Sequence, residues 1–280
     1  MNKFSVLMSV YNKEKKENII ECFESIMAQT KRPNEWVVVE DGPLTDELYA
    51  VLDNYEKKTK GIMKRVRLEK NSGLGVALGI GVEACANELI ARMDTDDIAI
   101  NDRFEKQLEA FDNDDMLDIC GTYIDEFENE KDNVVASRIV PLTDLEIKKY
   151  QRRRDAFNHM TVMFKKSAVL KAGNYKACPL MEDTYLWVRM MQNGAKCKNI
   201  PESLVLARVG EGMYERRGGI MYFDKYRKAR RIILKTGYIT SWDYIYTVFI
   251  QFIVAIIPNR IRGGVYKRIL HKKNKVNGQH

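Results

Sequence analysis

An α/β domain, with a mainly parallel sheet flanked by helices, follows from three features of this 280-residue chain. Short apolar runs alternate with stretches of helical periodicity through the first hundred residues, and strand–helix repeats of that kind build parallel sheets. Four successive runs also end in polar residues: Ser9 to Asn12, Glu40-Asp41, Asn71 to Gly73 and Asp94 to Asp97. Open parallel sheets bind ligands beyond the carboxyl ends of their strands, so four polar exits in a row mark one site. Finally, the run Leu89-Ile90-Ala91-Arg92-Met93 stops at three carboxylates, Asp94, Asp96 and Asp97. Charges that close repel unless a cation, a ligand or water compensates them.

The elements follow in order. Phe4–Val10 reads as a strand, and a helix over about Glu17–Gln29 carries Ile19, Ile20, Phe23, Ile26 and Met27 on one face until Pro33 breaks it. Glu35–Val39 is a buried strand, followed by a helix over about Thr45–Lys57. A third strand near Met63–Leu68 leads through Asn71 to Gly75 into a helix reaching about Asn87, and Leu89–Met93 is the fourth strand. Asn101-Asp102-Arg103 opens a helix to about Phe111. Strands are expected near Leu117–Ile124 and Asn133–Val140, a helix over Asp144–Arg154, and a strand over Phe157–Phe164 with His159 inside it. Met181-Glu182-Asp183 opens a helix with Leu186, Trp187, Met190 and Met191 as its apolar face. Strands near Ala195–Asn199 and Leu204–Val209 complete a single domain over residues 1–212.

Composition bounds the function. The net charge of +7 is uneven: from Met213 onward, 15 Lys and Arg face only Glu215, Asp224 and Asp243, leaving that segment at +12 and residues 1–212 at −5. Within this tail Tyr244–Ile257 is a 14-residue apolar stretch, short of the roughly 20 residues that span a bilayer. With Arg260, Arg262, Lys267, Arg268, Lys272, Lys273 and Lys275 behind it, residues 213–280 read as a basic, amphipathic helical tail lying on an anionic membrane surface. The alternative is a helix packed on the body with a solvated basic end. Nucleic-acid tails share the charge but not the aliphatic bulk, so no nucleic acid is expected. Five scattered cysteines, an odd number without C-x-x-C, suit a reducing cytosol, and the N-terminus shows no export signal.

For the acids after Met93, a divalent metal is the economical reading and a solvated helix-capping turn the other. A calcium loop is excluded, because Ile98 and Ala99 stand where a further oxygen ligand and the turn glycine belong. Gly73-x-Gly75 with Gly79 imitates a dinucleotide fingerprint, yet it follows the third strand and meets a cluster of acids rather than one.

Phe4 to Asn12, Val37-Val38-Val39-Glu40-Asp41-Gly42, Asn71-x-Gly73, Asp94-Thr95-Asp96-Asp97 and Glu182-Asp183 stand in the order of a family 2 glycosyltransferase, which the chain resembles over about residues 3–220. The Leu7–Tyr11, Arg92–Ile98, Phe157–Val162 and Ala207–Gly210 segments are similar to the amylovoran and O-antigen biosynthesis type. The resemblance implies a GT-A fold, a Rossmann-like mixed sheet. It also implies transfer of a hexose, galactose first and glucose next, from a UDP-sugar to an undecaprenyl-pyrophosphate-linked saccharide.

The same resemblance assigns roles. Val10, Tyr11, Asn12, Asp41, Asn71, Gly73, Asp94 and Thr95 would hold the nucleotide sugar, with Tyr11 stacked on the base and Asp41 accepting its imide hydrogen. Asp96 and Asp94 would hold Mn²⁺ or Mg²⁺. Asp183 would be the general base for the acceptor hydroxyl, with Glu182 beside it. From charge chemistry rather than the resemblance, His159, Arg208, Arg216 and Arg217, or Arg152 to Arg154, are candidates to meet the acceptor and its pyrophosphate, a solvated basic face being the other reading of the arginines. The Q-x-x-R-W motif of processive synthases is absent, which implies one sugar per encounter at the inner face of the membrane. Competing readings are a nonenzymatic UDP-sugar sensor or scaffold, and an oxidoreductase using the Gly73 turn.

Overall fold

The computed structural model describes residues 3–210 and 218–257. Phe4–Val10 (β1), Glu35–Glu40 (β2), Met63–Arg67 (β3) and Leu89–Arg92 (β4) form the parallel half of one sheet, in the order β3-β2-β1-β4. The sheet continues through Met163–Lys165 (β8), Leu117–Phe127 (β6), Lys196–Arg208 (β9) and Ile98–Ala99 (β5), with Val134–Arg138 (β7) on β6. β8 runs antiparallel to β4 and β6, while β9 runs parallel to β6.

Alternation along β1 supplies both faces of the core. Phe4, Val6, Met8 and Val10 pack with Lys16–Met27 (α1), Asp46–Lys58 (α2) and Arg103–Asp112 (α4), where Phe23 meets Trp36 and Tyr55 edge-on. Leu7, Val37, Val39 and Ile90 face the other way, toward Leu74–Ala84 (α3) and Glu182–Gln192 (α7). α3 lies so close to the sheet that a Cβ on Gly81 would sit 2.3 Å from Leu7 Cδ1.

Local chemistry redraws three expectations. Phe157–Phe164 is not one strand: His159–Thr161 is a 3-10 turn before β8, because buried Asn158 and Thr161 tie it down. Asn158 Nδ2 donates to Thr122 O, and Thr161 Oγ1 accepts from Thr122 N. The two expected strands at 195–209 are one, β9, whose pairing with β6 jumps from Ile200 to Ser203 and bulges out Pro201 and Glu202. The short Lys166–Lys171 helix (α6) and β5 have no counterpart in the sequence reading.

Asp144–Gln151 (α5) begins with a capping box between Thr143 and Glu146. The described part of the tail forms Ile220–Lys235 (α8) and Ser241–Ile256 (α9), which pack on the body: Ile233 and Ile239 meet Val188 of α7, and Asp243 at the start of α9 accepts hydrogen bonds from Arg152 and Arg153. None of the described helices is long and apolar enough to cross a membrane. The expected boundary at 212–213, Arg216, Arg217 and the basic residues beyond Ile257 lie outside the described residues.

Candidate active site

Four strand exits and one helix start supply the site. β4 ends at Arg92, and the chain turns through Asp94-Thr95-Asp96-Asp97 before β5. One carboxylate oxygen from each of Asp94, Asp96 and Asp97 lies within 4.8 Å of the others, the sole group of three potential ligands among the described residues. Three oxygen donors of this kind fit a hard divalent cation such as Mg²⁺ or Mn²⁺.

Compensation within the cluster is unequal. Asp94 is flanked on both oxygens: Arg92 Nη2 stands 2.9 Å from Oδ1 and His159 Nε2 3.1 Å from Oδ2. Burial opposes its ionisation, but the Arg92 charge and the His159 hydrogen bond outweigh burial and hold its carboxyl well below the usual range. Asp96 has no such partner; burial and then the Asp94 charge raise it to about 6. Asp97 is fully buried, accepts from Arg208 N at 2.8 Å, and is still raised by burial and by Asp96. Ionising all three acids would therefore gather more negative charge than the protein neutralises, which is the electrostatic condition for a cation site.

Arg92 joins this cluster to a carboxylate 89 positions away. It is completely buried, and its Nε stands 3.8 Å from Asp183 Oδ1 while its Nη2 reaches Asp94. These are ion pairs rather than directed hydrogen bonds, since none of the buried guanidinium nitrogens has a hydrogen-bond partner. Burial disfavours the Arg92 charge, yet Asp183 and Asp94 together raise its pKa. Asp183 also accepts a hydrogen bond from the buried Tyr175 hydroxyl at 3.2 Å. Tyr175, Phe157 and Phe164 ring Trp187, one turn along α7, which fixes the direction of that helix. Glu182 lies against the start of α3, where a Cβ on Gly75 would come within 2.7 Å of its Cγ, and burial raises its pKa.

The nucleotide-side residues gather at the neighbouring exits. Asp41 is buried, its Oδ1 accepting from Ser72 N (2.7 Å) and its Oδ2 from Gly73 N (3.0 Å), so it shapes the Asn71–Gly73 loop; only the second lone pairs are left for a base. Gly42, at φ +87°, allows that loop to close, because a Cβ there would lie 2.5 Å from Asn71 N. Gly73, at φ +89°, is the residue before α3. Val10 is buried and its carbonyl accepts from Asp41 N; Tyr11 and Asn12 beyond it are exposed, and Thr95 is buried.

Of the arginines proposed for the acceptor, Arg208, Arg152 and Arg153 are occupied otherwise. Arg208 donates to Asp96 O and Asn129 O, pairs with Glu21, and covers the Phe127 ring at 4.5 Å, so it fixes the acidic loop. Arg152 and Arg153 are committed to Asp243, and Arg154 is exposed. Sequence reading missed Glu14, which burial, Asp96 and Asp94 raise to about 7; it stands in a Lys-rich approach to α1 that looks solvated. It also missed Tyr175 and Arg103, the latter buried beneath β4 and donating to Arg92 O at 2.7 Å. A charged Arg92 inside an apolar strand run was the available signal for the buried ion pair.

Comparison with known proteins decides the family. A profile described as Glycosyl transferase family 2 matches residues 5–175, well over half of the chain. The chain belongs to that family. This glycosyltransferase is 36% identical over 269 residues to the amylovoran biosynthesis glycosyltransferase AmsE of Erwinia amylovora, covering 95% of this chain and 98% of that protein. It is 34% identical over 271 residues to the UDP-Gal:alpha-D-GlcNAc-diphosphoundecaprenol beta-1,3-galactosyltransferase of Escherichia coli, covering 96% and 97%. The mannosyltransferase PcManGT from Pyrobaculum calidifontis, solved with GDP-Man and Mn²⁺, aligns with TM-score 0.63 at 14% identity over 84% of this chain and 64% of its own. The fold of this enzyme is therefore GT-A, and the nonenzymatic and oxidoreductase readings fall away.

Proposed function

We propose that this glycosyltransferase is an inverting, metal-dependent, nonprocessive enzyme that moves one hexose from a UDP-sugar to an undecaprenyl-pyrophosphate-linked saccharide, galactose being the favoured sugar and glucose the next. The product belongs to exopolysaccharide, capsule or O-antigen synthesis at the inner face of the cell membrane, with residues 1–212 catalytic and 213–280 a membrane-facing tail. The observation that carries this reading is the Arg92 bridge, which puts the acid cluster and Asp183 on two sides of one buried charge. The E. coli relative, named for UDP-Gal and a diphosphoundecaprenol acceptor and matched nearly end to end, supports the choice of substrates.

In this reading Asp96 and Asp94 hold Mn²⁺ or Mg²⁺, whose charge when bound offsets the negative charge gathering on the departing nucleoside diphosphate. Asp183 takes the proton of the acceptor hydroxyl as that oxygen bonds to the anomeric carbon. The bond from that carbon to the diphosphate breaks on the opposite face, UDP leaves, and configuration inverts. Tyr175 and Arg92 hold Asp183 in place, while His159 fixes Asp94. Tyr11, Asn12, Asp41 and the Asn71–Gly73 loop line the base and ribose.

The test is a panel of UDP-sugars offered with a synthetic lipid-pyrophosphate acceptor, with UDP release measured and the product identified by NMR. We expect UDP-galactose to be consumed fastest and a single inverted hexose to be added. Release of no UDP from any donor, retained configuration, or a growing polymer would overturn the proposal.

A further inference from the structure

Outside the cleft, α9 carries its polarity inside out. Asp243, Thr247, Gln251 and Val254, spaced along one helical face, turn inward and are buried. Three of those four are polar, and the protein supplies partners: Arg152 and Arg153 donate to Asp243, and Arg230 to Thr247. The outward face holds Trp242, Ile245, Phe249, Ile250, Ile253 and Ile256, all exposed. A helix meant for water does the opposite, and a contiguous exposed apolar strip marks a contact with something nonaqueous.

We propose that this outward face of α9 seats the enzyme on the anionic surface of a lipid bilayer, with the helix lying in the plane of the interface. Sixteen residues make a helix about 24 Å long, too short to cross the hydrocarbon and suited to lying along it. The charge beside the strip has the matching sign. α8 runs antiparallel to α9, with Phe223 against Phe252 and Arg230 against Thr247, and exposes Lys225, Arg227, Lys228, Arg231 and Lys235. Residues 258–280 add seven Lys and Arg and no acid.

A second copy of the chain fits poorly. Residues 218–257 carry six basic side chains against two acids, so strips placed face to face would bring like charges together. A strip of about 24 by 10 Å offers about 240 Å², against the roughly 800 Å² per partner of a stable interface. Because α8 and the α8–α9 connection pack on Val188 of α7, the helix whose first turn holds Asp183, the seat is tied to the acceptor side of the cleft. This purpose rests on the lipid-linked acceptor proposed above; the test below does not.

The chain has three tryptophans, of which Trp36 and Trp187 are 2% and 1% exposed and Trp242 is 66% exposed, so a vesicle-dependent change in emission reports on α9. The full-length protein is mixed with phosphatidylcholine vesicles, and with vesicles containing about one part phosphatidylglycerol in four, in the absence of donor and acceptor. We expect a blue shift and quenching by brominated lipid only with the anionic vesicles, both weakened by salt. Phe249→Glu with Ile253→Glu should lower partitioning by about a hundredfold, with the thermal melt and UDP binding unchanged. Lys225→Glu with Lys228→Glu should lower it by about thirtyfold. Unchanged Trp242 emission, undiminished binding by the Phe249/Ile253 variant, or a dimer abolished by that variant without vesicle binding would each overturn the proposal. Failure of sugar transfer alone would bear on the substrates and leave this result standing.

Discussion

Replacing Arg92 by Met keeps most of the side-chain volume and removes the charge that Asp94 and Asp183 share. Arg92 is wholly buried, 2.9 Å from Asp94 and 3.8 Å from Asp183, with Asp96 and Asp97 nearby, so the variant leaves a nest of carboxylates without their buried counter-charge. Breaking a buried pair in this way costs about 3–5 kcal/mol. With an unfolding entropy of about 0.6 kcal/mol per kelvin for a chain of this size, the melting temperature should drop by about 5–8 °C at pH 7.5. The pH dependence separates charge from packing. In the native protein Asp94 is held below its ordinary range, so its contribution is present above the unfolded carboxylate pKa and is lost only as pH falls through the lower folded value. Without Arg92 that contribution is missing at neutral pH, and the deficit shrinks as the acids take up protons toward pH 4. Calorimetric melts of both proteins from pH 4 to pH 8, without divalent ions, measure it. A deficit that stays constant across this range would mean that Arg92 acts through packing alone, and the electrostatic account would fail.

Asp96→Asn tests the uncompensated acid. Its folded pKa is raised to about 6, so the stability tied to its protonated form is present below the unfolded value and lost as pH rises through 6. The ion-free variant should therefore gain about 2–3 kcal/mol at pH 8 and little at pH 4, while losing the Mn²⁺-induced rise in melting temperature. A Mn²⁺ response equal to that of the native enzyme would remove Asp96 from the metal site. Tyr175→Phe deletes the hydrogen bond to Asp183 and should lower kcat about tenfold with the UDP dissociation constant unchanged; equal loss in both would place Tyr175 in folding rather than in catalysis. Gly42→Ala forces a Cβ to 2.5 Å from Asn71 N at a positive φ, so it should cost about 2–3 kcal/mol and weaken UDP binding, as read by melts and titration calorimetry. Native-like values in both would mean that the Asn71–Gly73 loop moves freely.

Much of this architecture is legible in the sequence because its signals are local. The parallel half of the sheet is written in the alternation of β1 and the buried Val37–Val39 run, and the acids at the strand exits need no tertiary knowledge to be noticed. The 3-10 turn at His159 was hidden, because Asn158 and Thr161 reverse the backbone through partners on β6, some 40 residues upstream. Likewise Arg208 looks like a free cation until Glu21, almost 190 positions away, is found beside it. The tail shows the same limit. Its apolar length and basic charge are evident in the sequence, but the inward turn of Asp243 depends on Arg152 and Arg153 of a different helix end.

Anomalous diffraction from crystals grown with Mn²⁺ and an unreactive UDP-hexose analogue addresses the convergence of the two acidic groups most directly. The account predicts a manganese peak on the Asp96 carboxylate, and the anomeric carbon of the sugar presenting to Asp183 the face opposite the diphosphate. A peak elsewhere, or a sugar whose attacked face points away from Asp183, would contradict it.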